Sequence, residues 1–150
     1  MRFAHTNIIA KDWRTLVEFY VKVFDCVIVP PIRDQKGDWL DRGVGVHKAE
    51  LQGAHLKLPG HENGGPTLEI YQYSNLEEGN PNLPANATGI RHLAFEVEDV
   101  SAILEKLIQF GGEEVGTIVS KTVDGVGVIT FVYARDIEEN LIELQHWEYD

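Results

Sequence analysis

The sequence predicts an α+β fold made of two tandem β-α-β-β-β modules. Two observations carry that expectation. A strand-like segment, an Asp and an apolar stripe at helical spacing occur in that order twice. The two occurrences also align with each other at one constant offset, which is the signature of an internal repeat. Residues 74–89, between them, are polar, rich in Asn and Gly, carry two prolines and have no clean period, so they read as a linker. The expected layout is a first module over residues 1–73, that linker, and a second module over 90–150.

Residues 3–10 mix Phe, Thr and Ile in a strand-like run that Lys11 and Asp12 close. Asp12 suits a helix N-cap. From 13 to 24, Trp13, Leu16, Val17, Tyr20, Val23 and Phe24 fall on one face of an amphipathic helix. Residues 27–29 read as a strand ended by Pro30 and Pro31. A polar connection over 33–38 follows, then expected strands near 43–49, 52–58 and 67–73. Gly64, Gly65 and Pro66 make 60–66 a loop, either a lid or a plain connection. In the second half, 90–97 alternates as a strand and Asp99 is an N-cap candidate. Val100, Ile103, Leu104, Leu107 and Ile108 form the helical stripe over 99–110, and Gly111-Gly112 ends it. Strands fit near 113–120, 126–134 and 140–147.

Composition narrows the function classes. The chain has 150 residues, 43% apolar and 25% charged, which is ordinary for a globular protein and long enough to bury a core. Its formal charge of −11 repels phosphate backbones and anionic lipid surfaces, so no nucleic-acid or membrane partner is expected. Cys26 is the single cysteine, so no intrachain disulfide forms, as suits a reducing compartment. No apolar run approaches the roughly 18 residues of a membrane span, and the N-terminus does not read as a signal peptide. A cytoplasmic location is the expectation.

The repeat places four ionisable residues in matched positions. His5 and Asp12 align with His92 and Asp99 at an offset of 87. Leu68-Glu69-Ile70 aligns with Ile142-Glu143-Leu144 at an offset of 74. The 13-residue difference is an insertion in the first half, between its helix and its last strand. Each half therefore begins with a His in its first strand and ends with a Glu in its last. By strand alternation these residues sit opposite the core-packing face. A glutamate inside an apolar strand is costly to bury without a partner. Two imidazoles and two carboxylates form a nitrogen and oxygen ligand set for one divalent transition ion: zinc, nickel, cobalt, manganese or iron. Two carboxylates and a dication also leave the site near neutrality.

With these residues in place, the chain resembles the vicinal oxygen chelate superfamily, which includes glyoxalase I, methylmalonyl-CoA epimerase, extradiol dioxygenases and the fosfomycin and bleomycin resistance proteins. FAHTNIIAKDWRTLVEFYVKVF is similar to that family's first strand and helix, and GIRHLAFEVEDV to the opening of its second module. ARDIEENLIEL is similar to its closing Asp-Pro-x-Gly-Asn-x-x-Glu-Leu segment, with Ile137 in place of Pro and Glu139 in place of Gly. The resemblance implies curved sheets around a metal-centred cavity, with His5, Glu69, His92 and Glu143 as metal ligands. It implies a homodimer and a small-molecule substrate. The ligand pattern is closest to glyoxalase I and the epimerase. That implies a metal-dependent lyase or isomerase acting on a small carbonyl compound through an enediolate, with Glu143 as the base and Glu69 as second choice. An iron-dependent extradiol dioxygenase, or a non-catalytic small-molecule binder of the same fold, is the alternative. The resemblance does not choose between glutathione, coenzyme A and neither.

Other polar and aromatic residues have plainer readings. His47, His55 and His61 are expected to be core or surface histidines, and His146 a structural one. Cys26 is expected to be a small buried apolar residue. Tyr71 and Tyr73 share the Glu69 face, and Trp147 the Glu143 face, where they either line a cavity or pack the sheet.

Overall fold

The computed structural model describes residues 1–61 and 64–150. It divides into two units, Met1–Glu78 and Gly79–Asp150. No helix among the described residues is long and apolar enough to cross a membrane.

The first unit runs β1 (His5–Ile9), α1 (Trp13–Phe24), β2 (Val27–Lys36), α2 (Asp38–Val44), β3 (Glu50–Lys57) and β4 (Thr67–Tyr73). Asp12 starts α1 by accepting from the Arg14 and Thr15 amides at 3.1 and 3.3 Å, two donors that a helix N-terminus cannot satisfy internally. All six apolar positions of the expected stripe are buried, together with Phe19. They lie against β3 and β4, where Ala54, Leu56, Leu68 and Ile70 are fully buried. Asp25, in the left-handed region at φ 55°, turns the chain out of the helix.

Two elements depart from the sequence expectation. The prolines do not end β2: the strand runs on to Lys36, with a register shift between Val29 and Arg33. Pro30 and Pro31 fall in that irregularity, on an edge strand, where a missing N–H costs no ladder bond. The strand expected near 43–49 is instead a helix, α2, followed by a turn. Gly45 closes α2 in the left-handed region at φ 71°. The Asp41 carboxylate then accepts from the Lys48 and Ala49 amides at 2.7 and 2.8 Å, tying the returning chain to the helix. These local side-chain bonds outcompete a Val-Gly-Val alternation too short to direct a strand.

The second unit runs β5 (His92–Glu96), α3 (Val100–Gln109), β6 (Glu113–Glu114), β7 (Val119–Val123), β8 (Gly127–Arg135) and β9 (Leu141–Tyr149). Asp99 accepts from the Ala102 amide and the Ser101 hydroxyl, both at 3.0 Å. Val100, Leu104 and Leu107 are the buried stripe of α3. Gly112 is required where the chain leaves: a Cβ there would stand 2.5 Å from both the Arg135 carbonyl and the Leu107 side chain. The strand expected over 113–120 is split into β6 and β7, which pair with successive stretches of β8.

The two sheets follow one plan. The first has strand order β1-β4-β3-β2 and the second β5-β9-β8-β6, with β7 also on β8. In each, the first strand is parallel to the last, and His5 stands beside Thr67 as His92 stands beside Leu141. The tandem β-α-β-β-β modules are therefore present, but the expectation of curved sheets around a metal-centred cavity is corrected. Neither sheet is closed or strongly curled. Closure needs about eight strands or a continuous pair of edges. Here the edges are a proline-interrupted β2 or the fragments β6 and β7 on one side, and five-residue β1 or β5 on the other. On the Glu69 face of the first sheet, Leu40 from α2 joins Ala49 and Leu51, with Tyr71 and Tyr73 packed against them.

Candidate active site

In the first unit, β1 and β4 bring His5 and Glu69 together: His5 Nδ1 is 3.3 Å from Glu69 Oε1. A second imidazole reaches the same oxygen, with His55 Nε2 at 3.1 Å. The antiparallel register of β3 and β4 sets His55 directly opposite Glu69. His55 Nε2 also lies 2.5 Å from the Tyr71 hydroxyl, which itself bonds Glu69. The ring of Tyr71 lies over Gly53, where a Cβ would come within 2.4 Å of it. That glycine makes room for the tyrosine on this face.

In the second unit, β5 and β9 bring His92 and Glu143 together, with His92 Nε2 3.0 Å from Glu143 Oε2. Opposite Glu143 on β8 stands Tyr133, whose ring centroid is 5.2 Å from that of His92. The Glu143 strand is entered through a turn that Asp136 organises. Its buried carboxylate accepts from the Glu138 and Asn140 amides at 2.9 and 3.0 Å. Glu139 takes the left-handed conformation at φ 70°, and its carbonyl accepts from Arg135 at 2.6 Å. The replacement of Gly by Glu139 therefore leaves the left-handed residue in place, held by the bonds on either side.

Both glutamates are removed from bulk water, with side chains 9% exposed for Glu69 and 14% for Glu143. Unpaired carboxylates at such positions carry a large desolvation cost. The imidazoles offset it. Burial depresses the pKa of His55, against the pull of Glu69 and with Arg33 and His5 adding to the depression. Burial first and Glu69 second push Tyr71 up to about 12, so its hydroxyl stays protonated and able to donate. Burial and then Glu143 raise Tyr133.

The remaining expected residues sit apart from these groups. His146 Nδ1 lies 2.9 Å from the Val97 carbonyl. His47 is exposed, 3.9 Å from Asp41. Cys26 is buried, its thiol pushed up to about 12 by burial and then by Asp25. Trp147 stacks on Tyr149 with centroids 5.9 Å apart. The loop 60–66, read as a lid or a connection, includes Glu62 and Asn63, which lie outside the described residues. His61, in that loop, is exposed. His55 is the residue that sequence reading missed. The connection between Lys57 and Thr67 is centred on position 62, and counting outward from it sets His55 against Glu69, but the expected strand bounds of 52–58 and 67–73 do not give that centre.

Among the described residues, no group of three or more His, Cys, Asp or Glu side chains is arranged to hold a metal ion. His5 and His55 both aim at Glu69 Oε1 itself rather than at a common point beside it. Each matched pair still fits an ion by donor type and spacing. Two donors about 2.1 Å from an ion and at right angles are about 3.0 Å apart, close to the 3.3 and 3.0 Å of the two pairs.

Comparison with known proteins agrees with the fold. A glyoxalase family protein from Bacillus cereus superposes with a TM-score of 0.77 at 21% identity, over 98% of this chain and 93% of that one. A glyoxalase family protein from Enterococcus faecalis matches with a TM-score of 0.60 at 24% identity, over 96% of each chain. The fosfomycin resistance protein of Listeria monocytogenes, in complex with Mn(II) and a dihydroxypropylphosphonic acid, matches with a TM-score of 0.53 at 16% identity, over 95% of this chain and 90% of that one. These likenesses show the fold alone. No curated protein matches the chain. The family model described as Glyoxalase/Bleomycin resistance protein/Dioxygenase superfamily matches residues 2–144, and the chain belongs to that superfamily.

Proposed function

We propose that this protein is a metal-dependent lyase or isomerase of the glyoxalase type, acting on a small carbonyl compound with two adjacent oxygens, such as a hemithioacetal or an α-substituted thioester. The observation that supports it best is the duplicated His–Glu pair, set at the same register in both units and withdrawn from water. His5, Glu69, His92 and Glu143 are the ligand set in this reading. That the fold accommodates a divalent ion is consistent with the Mn(II) in the Listeria protein. A bound divalent ion would polarise the substrate oxygens and stabilise the charge that develops as a proton leaves the neighbouring carbon. Glu143 takes that proton. With one imidazole partner among the described residues and a side chain 14% exposed, it is the more releasable of the two carboxylates. Glu69 stays in place. The substrate is a small molecule, and the working unit is a homodimer.

Elemental analysis of the purified protein, followed by turnover of methylglyoxal–thiol hemithioacetals and methylmalonyl-CoA in deuterated solvent, tests this reading. A bound zinc, nickel, cobalt or manganese ion with deuterium incorporated into product supports it. Among the described residues no three donors are gathered as for an ion, which favours a second reading, a small-molecule binder without metal. Tight binding without turnover in metal-free protein would establish that reading instead. Iron together with oxygen uptake on catechols would make the protein a ring-cleaving dioxygenase.

A further inference from the structure

The two units repeat the His–Glu pair but differ at the position opposite the glutamate. In the first unit that position is His55, and in the second it is Tyr133. His55 Nε2 lies 3.1 Å from Glu69 Oε1 and is hydrogen-bonded, at 2.5 Å, to the Tyr71 hydroxyl, which bonds the same carboxylate. Glu69 is thus gripped by His5, His55 and Tyr71, whereas among the described residues the Glu143 carboxylate meets one imidazole, His92. Gly53 is needed for Tyr71 to lie where it does. α2 adds a wall, since Leu40 and its neighbours pack against Tyr71.

We infer that His55 and Tyr71 are positioning residues that fix Glu69 as a stationary ligand, so that the labour of the site divides between a held glutamate and a releasable one, Glu143. The inference rests on the metal-dependent reading above and deepens it. A carboxylate already held by two neighbouring side chains is oriented before the ion arrives, and the ion need not order it. Residues that orient a ligand in this way typically set metal affinity by about 10–100-fold. The direct ligands in the first unit remain His5 and Glu69, and His55 acts through Glu69.

The test uses the full chain and Co²⁺ as the probe, titrated into metal-free protein by visible absorption. Thermal unfolding of the same metal-free samples reports on the fold. His55→Leu removes the donor and is expected to weaken Co²⁺ about 10–100-fold without altering the absorption spectrum of the saturated site. His55→Gln keeps an N–H and is expected to restore most of the affinity, which a merely space-filling role does not predict. Tyr71→Phe removes the hydroxyl and is expected to weaken Co²⁺ by a smaller factor. It also carries the test if His55→Leu does not fold. Tyr133→Phe, the counterpart in the second unit, is expected to leave affinity close to that of the unaltered protein. Unchanged affinity in folded His55→Leu, or in Tyr71→Phe where His55→Leu does not fold, overturns the inference while the metal reading stands. An altered spectrum in saturated His55→Leu overturns it too, by making His55 a ligand. If the unaltered protein takes up no Co²⁺, the metal reading fails and this inference fails with it.

Discussion

Glu69 and Glu143 occupy the same place in two copies of one plan, yet their surroundings differ. Glu69 faces two histidines and a tyrosine hydroxyl, while Glu143 faces one histidine and lies beside a tyrosine ring. Backbone register is what the repeat preserves, because each pair is set by a parallel first and last strand. The third strand of each sheet is where the halves diverge, with His55 on β3 and Tyr133 on β8. Duplication thus supplies two equivalent carboxylates, and one residue on a neighbouring strand makes them unequal. In the proposed reaction, that inequality would let one carboxylate hold while the other moves a proton.

The comparison breaks most completely if the histidines are removed. His5→Ala and His92→Ala are each expected to abolish most divalent-ion binding, measured by elemental analysis after dialysis. A variant that retains full metal content removes that histidine from the ligand set. Next in size, Glu143→Gln preserves shape and an oxygen donor but loses basicity. It is expected to keep substantial metal and to lose about 10²-fold or more of solvent-deuterium exchange into substrate. Glu69→Gln is expected to exchange closer to normally and to lose more metal. The opposite pattern reverses the roles of the two glutamates, and normal exchange in both places the base elsewhere.

The helix caps sharpen the comparison on a smaller scale. Asp12 accepts from two backbone amides and the Thr15 hydroxyl, and Asp99 from one amide and the Ser101 hydroxyl. Asp12→Ala is expected to cost about 1 kcal/mol, and Asp99→Ala less, measured by urea unfolding. Side-chain and backbone hydrogen bonds lower the pKa of Asp12, and backbone and side-chain bonds that of Asp99. A carboxyl whose pKa is lower folded than unfolded adds stability above its unfolded pKa, and that stability is lost as the pH falls through its folded pKa. Both cap effects should therefore be constant from neutral pH down to the ordinary carboxylate range and shrink below it. A cap effect that grows on acidification contradicts the assignment. The smallest effect is expected at the turn before β9. Glu139 sits at φ 70°, where a side chain costs roughly 1–2 kcal/mol, partly offset by the greater unfolded freedom of glycine. Glu139→Gly should stabilise the fold by less than about 1 kcal/mol with metal binding unchanged. Destabilisation would mean that the Glu139 side chain contributes contacts of its own.

Periodicity was legible because it is local. The apolar stripes of α1 and α3, the aspartates that start them and the glycines after α3 follow from 3.6-residue spacing and the unmet amides of a helix N-terminus. The offsets of 87 and 74 matched His5 to His92 and Glu69 to Glu143. What sequence reading missed depends on partners distant in the chain. β2 continues past Pro30 and Pro31 because β3 supplies the ladder on both sides of the irregularity. α2 replaces a strand because the Asp41 carboxylate finds the Lys48 and Ala49 amides. β6 and β7 are separate pieces because each answers to a different stretch of β8.

The sequence by itself determined the two modules, the helices α1 and α3 and the matched histidines and glutamates, since alternation, helical period and repeat offset are properties of neighbours along the chain. Only the tertiary structure decided that the sheets stay open, that α2 packs on the Glu69 face, and that His55 and Tyr71 close on Glu69. Those outcomes depend on which strands share an edge and in what register. A one-residue slip between β3 and β4 would turn His55 to the opposite face, so the grip on Glu69 exists only once the strands are paired.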